Sequence, residues 1–472
     1  MQAHNGMFLD GRWQPAAGDG LIEVVNPADE QVIATVPAGT AADVDAAVTA
    51  ARAAFPGWAA TPPAERAARV GALGDALAAR AEDVAATVTA ELGAPLTFSR
   101  KVHAAVPVAV CASYARIGAS YPYEDKTGNS TVLHEPVGVV GAITPWNYPL
   151  HQIVAKAAPA LAAGCTVVLK PAENTPLVAR LFAEAAAAAG FPPGVLGVVT
   201  GYGAEAGRAL VEHPGTDFLS FTGSTAVGRT VAATAGAAVK PVALELGGKS
   251  ANVILPGADL ARAVATGVAN VMANSGQTCN AWTRMLVHRS AYDQALTLAA
   301  TAVTKYAPGD PSDPATRLGP VVSAAQRERV RGYIEQGVAE GAMLLAGGSG
   351  APEGIERGYF VQPTVFADVT PEMALAQEEI FGPVLSIMPY EDEEDALRIA
   401  NGTVYGLAGA VWAGDEETAV AFARRMETGT VTVNGGKFDI LAPFGGHKQS
   451  GIGRELGVAG LREFLHTKSL QF

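Results

Sequence analysis

The sequence predicts an α/β protein with two doubly wound parallel sheets and a small β module assembled from distant parts of the chain. Three observations lead there. Apolar runs of buried-strand length alternate with helical patterns from residue 137 to 221, the pattern of a parallel sheet covered on both faces. A second α/β stretch runs from the loop around residue 279 to about residue 434. A polar strand–turn–strand at 121–135 stands outside this alternation. The 472 residues also exceed what one core ordinarily supports, so two or three domains are expected.

Residues 1–40 read as strands and turns, punctuated by Gly11-Arg-Trp13 and Asn26-Pro27. From 43 to 92 the pattern is helical, with Val44, Ala47, Val48 and Ala51 on one face. A second helical block covers 98–117, where Cys111 reads as a small core residue. At 121–135 two polar strands flank Lys126-Thr-Gly-Asn129, which is turn chemistry. Such a hairpin has too little apolar surface to stand alone, so it reads as an assembly element, with the C-terminal strand 466–472 as its second part. The runs 137–143, 166–169, 195–199 and 217–221 are expected as parallel strands, with helices at 151–163 and 176–189. No internal repeat and no low-complexity tail occurs.

Composition narrows the function classes. With 49% hydrophobic and 17% charged residues the chain reads as globular, and its formal charge of −13 argues against nucleic acid or an anionic membrane as partner. The most apolar stretch, 153–169, is cut by Lys156 and Pro159, so no spanning segment is expected. Three cysteines, Cys111, Cys165 and Cys279, form no C-x-x-C pair, and the first ten residues lack the regions of a signal peptide. A reducing, cytoplasmic location is expected. The eight histidines show no metal-ligand spacing, so no metal site is expected.

Cys279 stands out within Asn274-Ser-Gly-Gln-Thr-Cys-Asn280, between a helical pattern and the strand-like run 285–288. Gly276 and small polar neighbours leave room for a ligand and for inward backbone N–H groups, which an attacking sulfur needs. A buried structural thiol is the other reading, and the loop alone leaves both open. Further candidates follow the strand ends, where open α/β sheets bind ligands. They are Asn147 after the first strand, Lys170 and Glu173 after the second, and the turn Gly223-Ser-Thr-Ala-Val-Gly228 opening a helix. That turn suits a cofactor phosphate or is an ordinary strand-to-helix connection. Glu173 could accept hydrogen bonds from ribose hydroxyls and would repel a 2′-phosphate, which favours NAD over NADP.

The ordered set Pro145-Trp-Asn147, Lys170-Pro-Ala-Glu173, Phe221-Thr-Gly-Ser224, Glu245-Leu-Gly-Gly-Lys249, Gly276-Gln-Thr-Cys279, Glu379-Ile-Phe-Gly-Pro383 and Pro443-Phe-Gly-Gly446 closely resembles the aldehyde dehydrogenase superfamily, essentially end to end. The resemblance implies a Rossmann-like NAD-binding domain (1–119 and 138–247), a catalytic domain (248–450) and an oligomerisation module (120–137 and 451–472). A homodimer or homotetramer is expected. It implies Cys279 as nucleophile, Glu245 as general base and Asn147 as oxyanion donor. It also implies adenine-ribose contacts from Lys170 and Glu173, pyrophosphate contact near Ser224, and nicotinamide-ribose contacts from Glu379 with Phe381 alongside. Ile143, Thr144, Pro145, Trp146, Gly203, Phe221, Gly223, Gly228 and Leu246 complete the implied cofactor contacts.

The implied reaction is oxidation of an aldehyde to an acid. A thiolate adds to the aldehyde carbon, hydride leaves for NAD, and Glu245 serves hydrolysis of the thioester in place of transfer to coenzyme A. Tyr148, His151 and Gln152 fall where family members line the aldehyde tunnel, and the polar pair hints at a polar-tailed substrate. Phe438 is a further pocket candidate. Trp282 departs from the family's small residue and either shapes the pocket or packs beneath the loop. Lys249 is expected to be structural. Glu455 matches a glutamate that some members use in proton relay, and a surface charge is expected. The alternatives are an NADP-using semialdehyde or betaine-aldehyde dehydrogenase, a non-catalytic binding protein of the same fold, and an esterase using the same thiol.

Overall fold

The apolar run near residue 140 forms the strand Val139–Ile143, buried along its whole length, as a parallel strand covered on both faces must be. In this computed structural model, which describes residues 2–4 and 6–472, it is central to an eight-stranded sheet. Thr166–Lys170 and then Leu196–Val198 lie parallel on one side. Phe218–Thr222 and Val242–Glu245 lie parallel on the other. Chain order therefore reverses between Val139–Ile143 and Phe218–Thr222, which opens a crevice at their carboxyl ends. The hairpin of Gly6–Leu9 and Arg12–Pro15 closes one edge antiparallel.

The second sheet has seven strands, in the order Met343–Ala346, Thr364–Ala367, Val384–Tyr390, Arg284–His288, Ala251–Ile254, Ala408–Trp412 and Thr430–Val433. All neighbours are parallel except the first pair, which is antiparallel and carries a bulge. A separate three-stranded antiparallel sheet joins Glu124–Thr127, Ser130–Pro136 and Leu465–Gln471. Its hairpin turns through Gly128 at φ 60°, and Leu465–Gln471 is exposed along nearly its whole length.

Two expectations change. Residues from 451 onward do not all join the small module, because Gly451–Ile452 pairs antiparallel with Val242–Glu245 and completes the first sheet. The helical block expected at 98–117 is one helix, Leu96–Ser120, with a π-helical stretch at Ser99–Ala104. By length and composition it could cross a bilayer, whereas in the sequence 153–169 reads as the most apolar stretch and no spanning segment is expected. Here Val110, Cys111 and Tyr114 are fully buried in the main core and the helix packs against Pro63–Ala78. The apolar stretch 153–169 is equally internal: it supplies most of the buried helix Pro149–Ala163 and then a central strand.

Candidate active site

The helix Leu260–Met272 starts with the Asp259 carboxylate accepting from the Arg262 N–H at 3.1 Å and ends abruptly. Asn274, Ser275 and Gly276 follow with φ of 51°, 58° and 74°, so three successive left-handed residues reverse the chain. A Cβ at position 276 would run into the Gly382 carbonyl, so only glycine closes the turn. The strain is held by partners on every side. The Asn274 amide donates to the Asn147 carbonyl at 2.8 Å, the Ser275 hydroxyl to the Gly319 carbonyl at 2.8 Å, and the Gln277 side chain accepts from the Val322 N–H at 2.9 Å. Cys279 follows at once and is the one cysteine of the three that is not buried.

Asn147 comes to the same loop from the end of Val139–Ile143. Its side-chain amide donates one hydrogen to the Gln277 carbonyl at 3.0 Å, which leaves the second free to meet an oxyanion beside Cys279. Cys279, Asn147, Trp146, Glu379 and Phe381 border one cavity of about 310 Å³. Burial pushes the thiol well above its ordinary value, and the Glu379 and Glu245 carboxylates add to that. A proton acceptor is therefore needed to make the thiolate. Glu245, at the end of Val242–Glu245, is 4% exposed, and neither carboxylate oxygen has a protein partner. Burial, reinforced by the charge of Glu455, raises its carboxyl well above the ordinary range, while Lys156 opposes. That is how a carboxylate is given the basicity of a proton acceptor.

The crevice at the sheet's reversal point holds the remaining candidates. Ile143, Gly203 and Phe221 line a largely apolar cavity of about 580 Å³ on one side of the helix Thr225–Ala237. Pro145, Gly223, Ser224 and Leu246 belong to the smaller cavity with Cys279. Ser224 caps that helix, so its free N–H groups lie between the two cavities. Gly228 packs against the Leu246 side chain with no room for a Cβ. Lys170, nearly buried, donates to Glu173 at 3.1 Å, and the Thr144 N–H donates to the Lys170 carbonyl at 3.2 Å. Glu379 accepts from the Gly248 N–H at 3.0 Å, and burial lifts its carboxyl to about 7. Phe381 sits at φ 63° with its ring edge-on to Trp146 at 5.3 Å.

The substrate-side candidates separate. Tyr148 donates or accepts at the Thr278 hydroxyl at 2.8 Å, against the cysteine loop. His151 and Gln152 lie one turn further along the same helix. Of the two readings of Trp282 the structure takes packing beneath the loop, which corrects its place among the pocket candidates. It is 7% exposed in one core cluster with Val264, Val268 and Met272, and its backbone N–H donates to the Asn270 side chain at 2.8 Å. The chain turns inward directly after the cysteine, which carries the indole beneath the loop. Phe438 is 55% exposed on a loop, edge-on to Phe444, and the structure does not bring it to the cavity at Cys279.

Some groups at the site sit otherwise than the sequence suggests, or left no signal in it. Glu455 is not a surface charge: it is buried in an ion pair with Lys156, whose ammonium also donates to the Thr222 hydroxyl at 2.6 Å. Lys249 is buried with no protein partner, and burial lowers its ammonium to about 7. Gln326 and Arg329, on one face of the helix Ala324–Ala339, reach the cavity beside Glu379 and Phe381. Their i,i+3 spacing marks a shared face but not which cavity it meets.

A nucleotide-sized crevice ending at a cysteine and an amide donor defines a cofactor-dependent dehydrogenase. Residues 13–470 match the model of the Aldehyde dehydrogenase family. A Pseudomonas 3-succinoylsemialdehyde-pyridine dehydrogenase is 47% identical over 476 residues, covering 100% of this chain and 99% of that protein. The structure of a Mycobacterium tuberculosis aldehyde dehydrogenase complexed with NAD+ superposes with a TM-score of 0.98 at 47% identity, covering 100% of this chain and 98% of that one. A mutant of aldehyde dehydrogenase C from Pseudomonas syringae, complexed with NAD+ and octanal, gives a TM-score of 0.98 at 44% identity, covering 99% and 96%. The chain belongs to the aldehyde dehydrogenase family. It is an NAD(P)-dependent aldehyde dehydrogenase.

Proposed function

We propose that this chain oxidises an aldehyde to a carboxylic acid with NAD as hydride acceptor, and that Cys279, Glu245 and Asn147 carry the chemistry. The observation that supports this most is the convergence of Cys279, Asn147 and Glu379 on one cavity at the reversal point of a parallel sheet. The residues fit a dinucleotide: an apolar cavity for a flat base, a capped helix N-terminus for a pyrophosphate, and a carboxylate facing the cavity at Cys279 for a ribose. When bound, NAD supplies the two-electron acceptor.

The chain's own residues do the rest. Glu245 takes the proton from the Cys279 thiol or from water, and the sulfur adds to the aldehyde carbon. The second amide hydrogen of Asn147 and the backbone N–H of Cys279 hold the resulting oxyanion. After hydride departs, a thioester remains on Cys279. Glu245, once it has passed any proton taken from the thiol to solvent, accepts a proton from the water that attacks the thioester, and the acid leaves as the Cys279 sulfur is expelled. Glu173, already engaged by Lys170, provides a carboxylate for ribose hydroxyls and repels a 2′-phosphate, which favours NAD over NADP. The relative named for a semialdehyde supports a second reading, a semialdehyde substrate. Residues 1–119 and 138–247 act as the NAD-binding domain and 248–450 as the catalytic domain. The exposed strand Leu465–Gln471 and its hairpin pair with a second copy in a dimer or tetramer. A cytoplasmic location agrees with three free cysteines.

The test is NADH formation over a panel of aliphatic, aromatic, amino and semialdehydes with NAD and NADP in parallel. Expected is a signal that vanishes in Cys279→Ala. Full turnover by that variant refutes the assignment of the nucleophile.

A further inference from the structure

Every residue of the helix Pro149–Ala163 is buried except His151. Tyr148 just before it and Thr278, Cys279 and Asn280 opposite are likewise partly exposed within buried surroundings. The Tyr148 hydroxyl meets Thr278 at 2.8 Å beside the thiol, and His151 and Gln152 follow it in the first turn of the helix. This face of the site carries side chains with hydrogen-bonding atoms that no protein group satisfies. They are Nδ1 of His151 and Oε1 of the 5%-exposed Gln152, while the buried His103 and Asn274 side chains face each other nearby. His103 lies on the π-helical stretch and stacks on Tyr148 at 5.1 Å. Stretches of this kind are frequent at functional sites. A buried polar atom without a partner forfeits its hydration with no return, so such a group beside the reacting thiol needs a reason.

We propose that this face selects aldehydes whose tail bears an uncharged hydrogen-bonding group, such as a ketone, hydroxyl or amide oxygen or a ring nitrogen, a few bonds from the reacting carbon. His151 and Gln152 meet that group directly, and His103 and Asn274 lie behind them. The inference rests on the aldehyde-oxidising reading above. The charges decide against ionic tails. The one cation packed near this face, Lys156, is spent on Glu455 and Thr222, so nothing remains to pair a carboxylate. Glu455 is spent in the same pair, and Glu245 is committed to the proton of the thiol and of the hydrolytic water, so neither serves an ammonium tail. Burial holds His103 at about 3 and lowers His151, so both imidazoles are neutral and each offers one donor and one acceptor.

The test compares kcat/KM for pentanal, 4-oxopentanal, 4-oxobutanoate and 4-trimethylammoniobutanal in the wild type and in His151→Leu, Gln152→Met and His151→Gln. Expected is a preference of roughly tenfold or more for 4-oxopentanal over the other three, residing in KM, because a site built to hydrogen-bond rejects analogues that leave its polar groups unpaired. The preference over pentanal falls toward unity in His151→Leu and in Gln152→Met, and survives in His151→Gln, which keeps a donor and an acceptor. NAD binding by each variant, read by calorimetry, reports that it is folded. A wild type that favours pentanal or either charged aldehyde overturns the proposal, as does a preference unchanged in both apolar variants. Absence of turnover of every aldehyde by a wild type that binds NAD overturns instead the reading beneath it, a separate and recognisable result.

Discussion

Lys156 and Glu455, 299 positions apart, form a buried ion pair beside Glu245. The pair brings the helix Pro149–Ala163 and the C-terminal part of the chain to one point behind the site. Breaking it from one side leaves a charge in the core with only the Thr222 hydroxyl to meet it. Glu455→Gln is therefore expected to destabilise the fold by about 3–5 kcal/mol, and Lys156→Met with Glu455→Leu together to recover most of that. Denaturant unfolding of the three variants checks both outcomes. A double variant no better than the single one contradicts the account.

Burial chiefly raises the pKa of Glu245, and the same pair adjusts it, with Glu455 raising it and Lys156 lowering it. In Glu455→Gln the raising charge is gone and the lowering one is unpaired, so both changes act downward. The acidic limb of the pH–rate profile, where Glu245 must lose its proton to act, is expected to move to lower pH than in the wild type. A limb that stays in place or moves upward removes Glu245 from that limb.

Glu245→Gln keeps the shape of the base and removes its proton-accepting capacity. Turnover is expected to fall by roughly 10²- to 10⁴-fold, the usual worth of general base catalysis. An acyl adduct should accumulate on the peptide containing Cys279, read by mass spectrometry after a short reaction. A drop in turnover without the adduct would place Glu245 before the hydride step.

Lys249 titrates at about 7 in the fold against 10.5 as the ordinary value. The unfolded chain therefore binds more protons between those values, and stability from this group increases as pH rises through that window. Lys249→Met abolishes the dependence. Relative to the wild type the variant is expected to be most favoured near pH 7, with its advantage shrinking by up to about 1.4 kcal/mol per pH unit on the way to 10. Chemical denaturation across that range measures it, and a difference that does not change with pH refutes the assignment.

Trp282→Ala probes the correction made above. With its ring among Val264, Val268 and Met272, loss of the side chain is expected to cost about 3–5 kcal/mol and to leave the ranking of aldehydes unchanged. Melting temperature and a substrate panel read the two effects separately. A changed ranking in a folded variant would return Trp282 to the pocket.

The parallel strands and their helices were legible in the sequence because buried strands and amphipathic helices impose different periods on the apolar residues. The expected strand 217–221 is Phe218–Thr222, for example. Tight turns and strand ends pointed to the motif residues near Cys279 as candidates, and their roles were legible only through the ordered set of motifs that resembles the family. What escaped shares a different character. Glu455 and Lys156 are charged residues in polar-looking stretches, and nothing local announces a partner on the other side of the chain. The indole of Trp282 turns inward through the path of the chain after Cys279, which spacing does not encode. Gln326 and Arg329 reach the cavity only because a helix from the second sheet is set across the first.

The pairing of Gly451–Ile452 with Val242–Glu245 bears on synthesis as well as on shape. The strand that carries Glu245 takes its outer neighbour, and Lys156 its counter-charge, from residues 451–455, far along the chain from either. A nascent chain lacking that segment presents an open strand edge and an uncompensated buried ammonium. Burial of the strand that carries Glu245 therefore depends on contacts of long range in sequence, the kind that slow folding.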